Sequence, residues 1–273
     1  MMNVPFYTTD NNELKYLGRY KICNLPSKTS AYILRNEGAV VENINRKHFN
    51  NKVLVLEPHC DDFALSALAY TLNHCNVKVL NVFSKTSIDY FTWNHLFKIT
   101  PDEYEKLRLD EANFAIEKVL KEEFISLREE STRITRKSTK EIENNIITST
   151  LAVLNSGKYD TIMVPMGVGN HPDHLIIYHA IMNNKKLFNK YKIILYPEFP
   201  YSRCRNAYCK RLNEVKKKYR IKPILIDACS IVDTLADIAI IYRSQFDDIN
   251  RSQMLAIIRE DARAKAFSYY EVM

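Results

Sequence analysis

The sequence predicts an α/β fold, a Rossmann-like and mostly parallel sheet with helices on both faces. Three observations lead there. Short aliphatic and β-branched runs such as Val53-Leu54-Val55-Leu56 have the character of strands buried on both sides. Helical patterns alternate with these runs along the chain. A strand, a helix and a second strand follow one another within roughly thirty residues, the size of a right-handed βαβ unit.

Residues 1–50 are polar, Asn-rich and weakly patterned. They read as an arm or small strand-containing addition packed on a main domain of residues 51–273. The first clear strand, Val53 to Leu56, stops at Pro58, and a helical pattern runs from Asp62 to Asn73. Val77 to Phe83 is the next strand. Ser84 to Thr100 holds Tyr90, Phe91, Trp93 and Phe97 without either period, which suits a long functional loop. A helix is expected over 102–121, opened by Pro101, and another over 138–155, stopped by Gly157. Thr161 to Pro165 is a buried strand, and a helix follows over 173–183. Strands at Ile193–Tyr196 and Ile224–Ile226 flank a helix over 205–219. Helices over 231–243 and 252–265 complete the pattern.

The chain has 273 residues, 46% of them hydrophobic and 26% charged, which is ordinary for one large folded domain. Its formal charge of +7 is scattered, and densest at Lys210-Arg211 and Lys216-Lys217-Lys218. Such a run is usually the solvated face of a helix. With no recognised motif beside it, no nucleic-acid partner is expected. No run approaches the ~18 consecutive apolar residues of a membrane span, and the start lacks a secretory pattern. Six cysteines without a CxxC pair read as reduced thiols, so a cytoplasmic location is expected.

In an open α/β sheet, ligands bind beyond the carboxyl ends of the strands. Pro58-His59-Cys60-Asp61-Asp62 follows one strand, and His171-Pro172-Asp173-His174 follows another after the loop Met166 to Asn170. If those strands are neighbours, histidines and aspartates converge over one crevice. A catalytic zinc typically takes three His or carboxylate ligands and keeps one position open. One His and one Asp from the first loop, with one His from the second, meet that need. Adjacent aspartates can divide the work, one binding metal and its neighbour acting as base. An imidazolium opposite the metal would stabilise an oxyanion and protonate a leaving amine. An aspartate at a strand-to-helix turn is often only a helix cap. Two clusters on matching strand ends, together supplying a whole ligand set, outweigh that reading.

The run from Val53 to Asp62, followed by Ala64-Leu65-Ser66, resembles the opening of the PIG-L/LmbE-like deacetylases, with their P-H-x-D-D-x-x-L-S form. His171-Pro172-Asp173-His174 is similar to the family's H-x-D-H motif. Arg108-Leu109-Asp110-Glu111-Ala112 resembles its R-x-x-E-A helix, and Tyr242-Arg243-Ser244-Gln245 a late Y-x-S-Q element. The resemblance spans about residues 52–250 and implies an LmbE-like fold. It also implies a zinc-dependent N-deacetylase for an N-acetylglucosamine-type sugar or its conjugate, whether glycan, lipid, nucleotide or natural-product precursor. By position His59, Asp62 and His174 would hold Zn2+ or another divalent metal. Asp61 would be the base, His171 the electrophile or general acid, Asp173 the orienter of His171, and Arg108 a neighbour of the sugar. Cys60 stands where proline is common, and Phe63 where many members have an acid.

Trp93 and Tyr201 are further substrate-binding candidates, since both follow strands and carry rings able to stack on a sugar. Cys60 is expected not to bind metal, because it lies between two residues already committed. His48, His74, His95 and His179 have no partners in sequence and are expected on the surface or in the core. Two alternatives keep the scaffold: an amidase on a sugar conjugate with the same zinc site, and a non-catalytic sugar- or nucleotide-binding module. The first strand is not followed by a G-x-G-x-x-G, which weighs against the second.

Overall fold

Among the described residues of the computed structural model, one seven-stranded sheet carries the fold and a two-stranded hairpin precedes it. The described residues are 3–10, 13–21, 52–72, 76–86, 100–157, 159–226, 228–242, 244–245, 251–263 and 267–273. The hairpin is β1 (Asn3–Asp10) against β2 (Glu13–Lys21), antiparallel, with β1 running beside the helix at 101–113. The main unit begins with β3 (Lys52–Glu57). A π-helical turn, Phe63–Ala67, then leads into α1 (Leu68–Leu72). Next come β4 (Asn76–Lys85) and α2 (Pro101–Asn113), the latter extended by a π-helical turn over Phe114–Val119. They are followed by β5 (Glu123–Glu130), α3 (Thr139–Ser156), β6 (Thr161–Pro165) and α4 (Pro172–Met182). The chain continues through β7 (Lys192–Tyr196), α5 (Arg205–Lys218) and β8 (Ile221–Leu225). It finishes with α6 (Val232–Ala239), α7 (Arg251–Arg263) and β9 (Ser268–Val272).

The strand order is β5-β4-β3-β6-β7-β9-β8. From β3 the chain builds outward to β4 and β5, then returns to lay β6 on the other side of β3 and continue to β7. All these pairings are parallel, with Val55 opposite Val79 on β4 and Met163 on β6. The reversal between β3 and β6 is the switch point where such sheets open a crevice. The neighbouring strands that the two motifs required are therefore present.

Side chains alternate along a strand, and both faces of β3 are covered. Val53 and Val55 enter a core with Phe63 and Phe114 from the two π-helical turns, Leu68 from α1, Leu235 and Ile238 from α6 and Met254 from α7. Leu54 and Leu56 enter a second core with Ile142, Ile146, Ile177, Ile181 and Val215 from α3, α4 and α5. This double burial explains the unbroken aliphatic run that marked the strand. Thr100 and Glu103 form a reciprocal capping box at the start of α2, and Pro101, the expected opener, lies in its first turn.

Two strands depart from the expected pattern. β5 lies at the sheet edge with charged residues interleaved, so its sequence, Glu123 to Glu130, lacks an apolar run. β9 inserts antiparallel between β7 and β8, beyond the helix expected to end the chain. β8 also begins earlier than Ile224, at Ile221. β4 runs on through Lys85, into the segment expected to be an aromatic loop, and residues 87–99, with Tyr90, Phe91 and Trp93, lie outside the described residues. No helix among the described residues is long and apolar enough to cross a membrane.

Glu111 on α2 is fully buried and accepts hydrogen bonds from the Ser244 amide at 2.8 Å and from the Ser244 hydroxyl. Gln245 donates to the Tyr104 hydroxyl at 3.0 Å. The two weakest sequence elements, one around Arg108–Ala112 and one around Tyr242–Gln245, are thus halves of one seam. Burial pushes the Glu111 carboxyl up to about 8 from an ordinary 4.5, against the opposing hydrogen bonds of Ser244. Because the folded value is the higher one, its contribution to stability is full below 4.5 and is lost as pH rises through about 8. Thermal unfolding followed from pH 5 to 8 should show stability falling, and Glu111→Gln should flatten that fall.

Candidate active site

The loop after β3 is bent so that its side chains face the crevice. The buried Glu57 accepts from the Phe63 amide at 3.0 Å and from Asn81 at 3.2 Å, closing the Pro58–Asp62 turn beneath the helix that follows. The His59 amide donates to Asp62 Oδ2 at 2.8 Å, which turns this carboxylate back toward its own loop. Opposite, His171 caps α4, its Nδ1 accepting from the Asp173 amide at 3.3 Å, and His174 follows one turn into the helix. Gly169 in the intervening loop has φ +77°, and a Cβ there would meet the Tyr201 ring at 2.8 Å. Glycine is required at that position by both conformation and space.

These elements bring three donor atoms together. His174 Nε2 lies 3.2 Å from His59 Nδ1, His59 Nδ1 lies 3.3 Å from Asp62 Oδ2, and Asp62 Oδ2 lies 3.4 Å from His174 Nε2. A tetrahedral ion with bonds of ~2.0–2.1 Å spaces its ligands by about 3.3–3.4 Å, so this triangle has the size of one face of a zinc site. The atoms repel one another unless a proton or a cation lies among them.

The far nitrogens fix the tautomers. His59 Nε2 is 3.0 Å from Asp173 Oδ2, and His174 Nδ1 is 3.2 Å from Glu198 Oε1. A carboxylate accepts only, so each of those nitrogens carries a proton, and each inner nitrogen, once it has lost its own proton, points a lone pair into the triangle. Both carboxylates are themselves held. Asp173 accepts from Ser131 Oγ at 2.7 Å, from the Thr132 amide at 2.7 Å and from the Thr132 hydroxyl. Glu198, at the end of β7, accepts from the amides of Gly167 and Val168.

The expectation that Asp173 orients His171 is corrected by this arrangement. The Asp173 carboxylate turns to His59, Ser131 and Thr132, and only its backbone amide meets His171. Glu198, Ser131 and Thr132 were not foreseen. The one available signal was an acid directly after a strand, Pro197-Glu198, at the sheet edge where the motifs meet.

The histidines His59, His171 and His174 also form a group whose ring nitrogens lie within 4.8 Å of one another. His171 differs from the other two in its bonding. Its Nδ1 accepts from a backbone amide, so the neutral ring carries its proton on Nε2 and acts as a donor there. Burial holds its pKa down to about 3, aided by the nearby charges of His59 and His174. Burial opposes the charged form of His59 as well, but hydrogen bonds to Asp173 and Asp62 raise it to about 9. Burial would raise Asp62, and the positive field of His174 with the His59 contacts lowers it to about 2.

Asp61 points to the other side of the crevice, where Arg108 Nη2 donates to its Oδ1 at 2.6 Å. Burial raises this carboxyl above its ordinary value although Arg108 opposes the shift. Arg108 lines the crevice, pairs with Asp61 and lies over the Tyr104 ring, 5.9 Å from its centre. Tyr201 stands edge-on to His174 with ring centroids 5.7 Å apart and lines the same crevice. Cys60 is fully buried in the core with residues of α1. The cavity above the triangle measures about 360 Å³ and adds Thr86, Arg133, Phe199 and Gln245 to the residues already named. That volume falls at the lower end of the ~300–1,000 Å³ of small-molecule sites.

No protein-family model and no curated protein matches the sequence. Solved structures do match in fold. The A40926 pseudoaglycone deacetylase Dbv21 superposes with a TM-score of 0.62 at 17% identity, covering 81% of this chain and 96% of its own. A zinc-inhibited form of teicoplanin deacetylase Orf2 gives 0.57 at 15% identity, over 82% and 98%. The N,N'-diacetylchitobiose deacetylase of Pyrococcus horikoshii gives 0.54 at 14% identity, over 92% and 94%. The chain therefore has the α/β fold of the LmbE-like deacetylases. The fold is not confined to deacetylation, for a 4-carboxy-2-hydroxymuconate hydratase, GalB, also matches at 0.54 and 12% identity, over 81% and 94%.

If Glu198 holds His174 in its binding tautomer, Glu198→Gln should weaken zinc binding roughly 10–100-fold. Competition with a chromophoric chelator measures this. An unchanged affinity would leave Glu198 with the Gly167–Val168 loop alone.

Proposed function

We propose that the chain is a metal-dependent N-deacetylase acting on an N-acetylglucosamine-type amino sugar or a conjugate of it. The observation that carries this reading is the donor triangle of His59, Asp62 and His174 beside a separate, arginine-paired Asp61. Those three residues would hold Zn2+ or another divalent ion, and His171 would stay outside the ligand set as a donor. When bound, such an ion supplies positive charge that polarises a carbonyl and acidifies water.

The residues of the chain divide the remaining work. Asp61 accepts the proton of the attacking water as the water oxygen bonds to the acetyl carbon. Arg108 holds that carboxylate toward the crevice. The His171 Nε2–H donates to the acetyl oxygen, where negative charge gathers. As the C–N bond breaks, Asp61 returns the proton to the nitrogen, leaving acetate and a free amine. A neutral His171 serves as a donor without supplying that proton, so Asp61 acts as both base and acid. Tyr201 closes one wall around the sugar.

The deacetylase folds among the structural neighbours support the bond type, and the small cavity suits a single sugar ring. A non-catalytic binding module would have no use for Asp61, a half-buried carboxyl that lines the cavity and is paired with Arg108. An amidase on a sugar conjugate shares every residue named and differs only in the acyl group released.

Asp61→Asn should lower kcat for acetate release from N-acetylglucosamine derivatives by roughly 10²–10⁴-fold while leaving one metal bound per chain. Stopped acetate assays with elemental analysis measure both quantities. Full activity in this variant would remove Asp61 from the role of base.

A further inference from the structure

Arg211 on α5 is buried against the loop that joins β6 to α4 and does not line the cavity. Its Nε donates to the Met166 carbonyl at 2.7 Å, and Nη1 reaches Glu214 at 3.1 Å. The guanidinium lies over the Tyr178 ring, 4.3 Å from its centre. We propose that Arg211 is a positioning residue for the metal site. It locks the Met166–Gly167 peptide group in the orientation that keeps Glu198 on His174. This role rests on the metal-dependent reading proposed above and adds to it a residue that touches neither metal nor substrate.

A single peptide group transmits the effect. Its carbonyl oxygen, on Met166, receives Arg211, and its N–H, on Gly167, donates to Glu198 Oε1. The same Oε1 meets His174 Nδ1 at 3.2 Å. The peptide is trans, so its oxygen and its N–H point in opposite directions. A planar group held at the oxygen has the direction of its N–H set as well. The Met166 amide donates to the Tyr196 carbonyl at 2.8 Å, which ties the same residue to the end of β7. Tyr178 follows His174 by one turn of α4, so the guanidinium holds both the loop and the helix that carries His174.

The position needs such a lock. Gly167 has φ +83°, and glycine's freedom lets the peptide before it turn over at low cost. Turned over, that peptide would aim the Met166 carbonyl at Glu198, setting two acceptors face to face. The carboxylate would then lose the donor that shares its oxygen with His174. A guanidinium on the carbonyl favours the observed orientation. As a charged donor it also polarises the peptide and strengthens the N–H directed at Glu198. Arg211 is kept there at a cost. Its Nη2 has no hydrogen-bond partner among the described residues, and an aliphatic side chain would fill the space without that penalty.

Zinc affinity by chelator competition tests this without any substrate. Arg211→Met, which fills the same space without the donors, should weaken binding roughly tenfold, the low end for groups that orient a metal ligand. Arg211→Gln, polar but too short to hold both the carbonyl and the Tyr178 ring, should do the same and serves if Arg211→Met does not fold. Arg211→Lys can still donate to the Met166 carbonyl and should recover most of the loss, which a space-filling role would not. In a Glu198→Gln background either loss should shrink to no more than about twofold, because both residues act through one contact. Hydrogen exchange of the metal-free protein reads the peptide itself: the Gly167 amide should exchange as slowly as those of α4, and faster in Arg211→Met or Arg211→Gln. Unchanged affinity in those variants, an equal loss in both backgrounds, or a wild-type Gly167 amide that exchanges like an open loop overturns the proposal. A wild type that binds no zinc removes the metal reading instead, and the change in Gly167 exchange then decides whether Arg211 holds the peptide.

Discussion

Two ring nitrogens and a carboxylate oxygen, held 3.2–3.4 Å apart, form an arrangement that repels itself unless a proton or a cation lies among them. The surrounding fold is organised to impose it. Asp173 takes the outer nitrogen of His59 and Glu198 that of His174, so neither ring can turn away without losing its hydrogen bond to a buried carboxylate. Each of those carboxylates is anchored by further donors from a different loop. The constraint therefore spreads from three atoms to the ends of β3, β5, β6 and β7.

The sheet topology makes that convergence possible. β3 and β6 are neighbours only because the chain completes one side of the sheet before returning to build the other. The β3 loop then faces the start of α4 across the reversal point, and β7 brings Glu198 and Tyr201 to the same edge. Two separate cores clamp β3 from both faces, so the loop carrying His59 to Asp62 leaves a strand that cannot shift. The Glu111–Ser244 contact does the same for α2, which delivers Arg108 to Asp61.

Much of this was legible in the sequence. The central strands announced themselves because burial on both faces demands continuous aliphatic runs, and both motifs sat where strand ends require them. β5 and β9 were not legible. An edge strand with one wet side, such as Glu123 to Glu130, carries charges where a central strand carries valine. β9 gains its partners from β7 and β8, far away in the chain, and Tyr269-Tyr270 alone does not predict such a pairing. Residue identities at the site were visible, but their pairings were not. Asp173 looked like the partner of the adjacent His171, whereas helix geometry points its carboxylate at His59, 114 positions earlier. Glu198 belongs to no motif, and only the register of β7 beside β6 shows what it does.

The central claim is that His59, Asp62 and His174, with His171 excluded, hold one divalent ion. Crystals of zinc-loaded protein, measured on both sides of the zinc absorption edge, locate the metal without assuming any activity. The account predicts a single anomalous peak ~2.0–2.2 Å from His59 Nδ1, Asp62 Oδ2 and His174 Nε2. A peak bonded to His171 in place of Asp62, or stoichiometric zinc bound elsewhere, would contradict it.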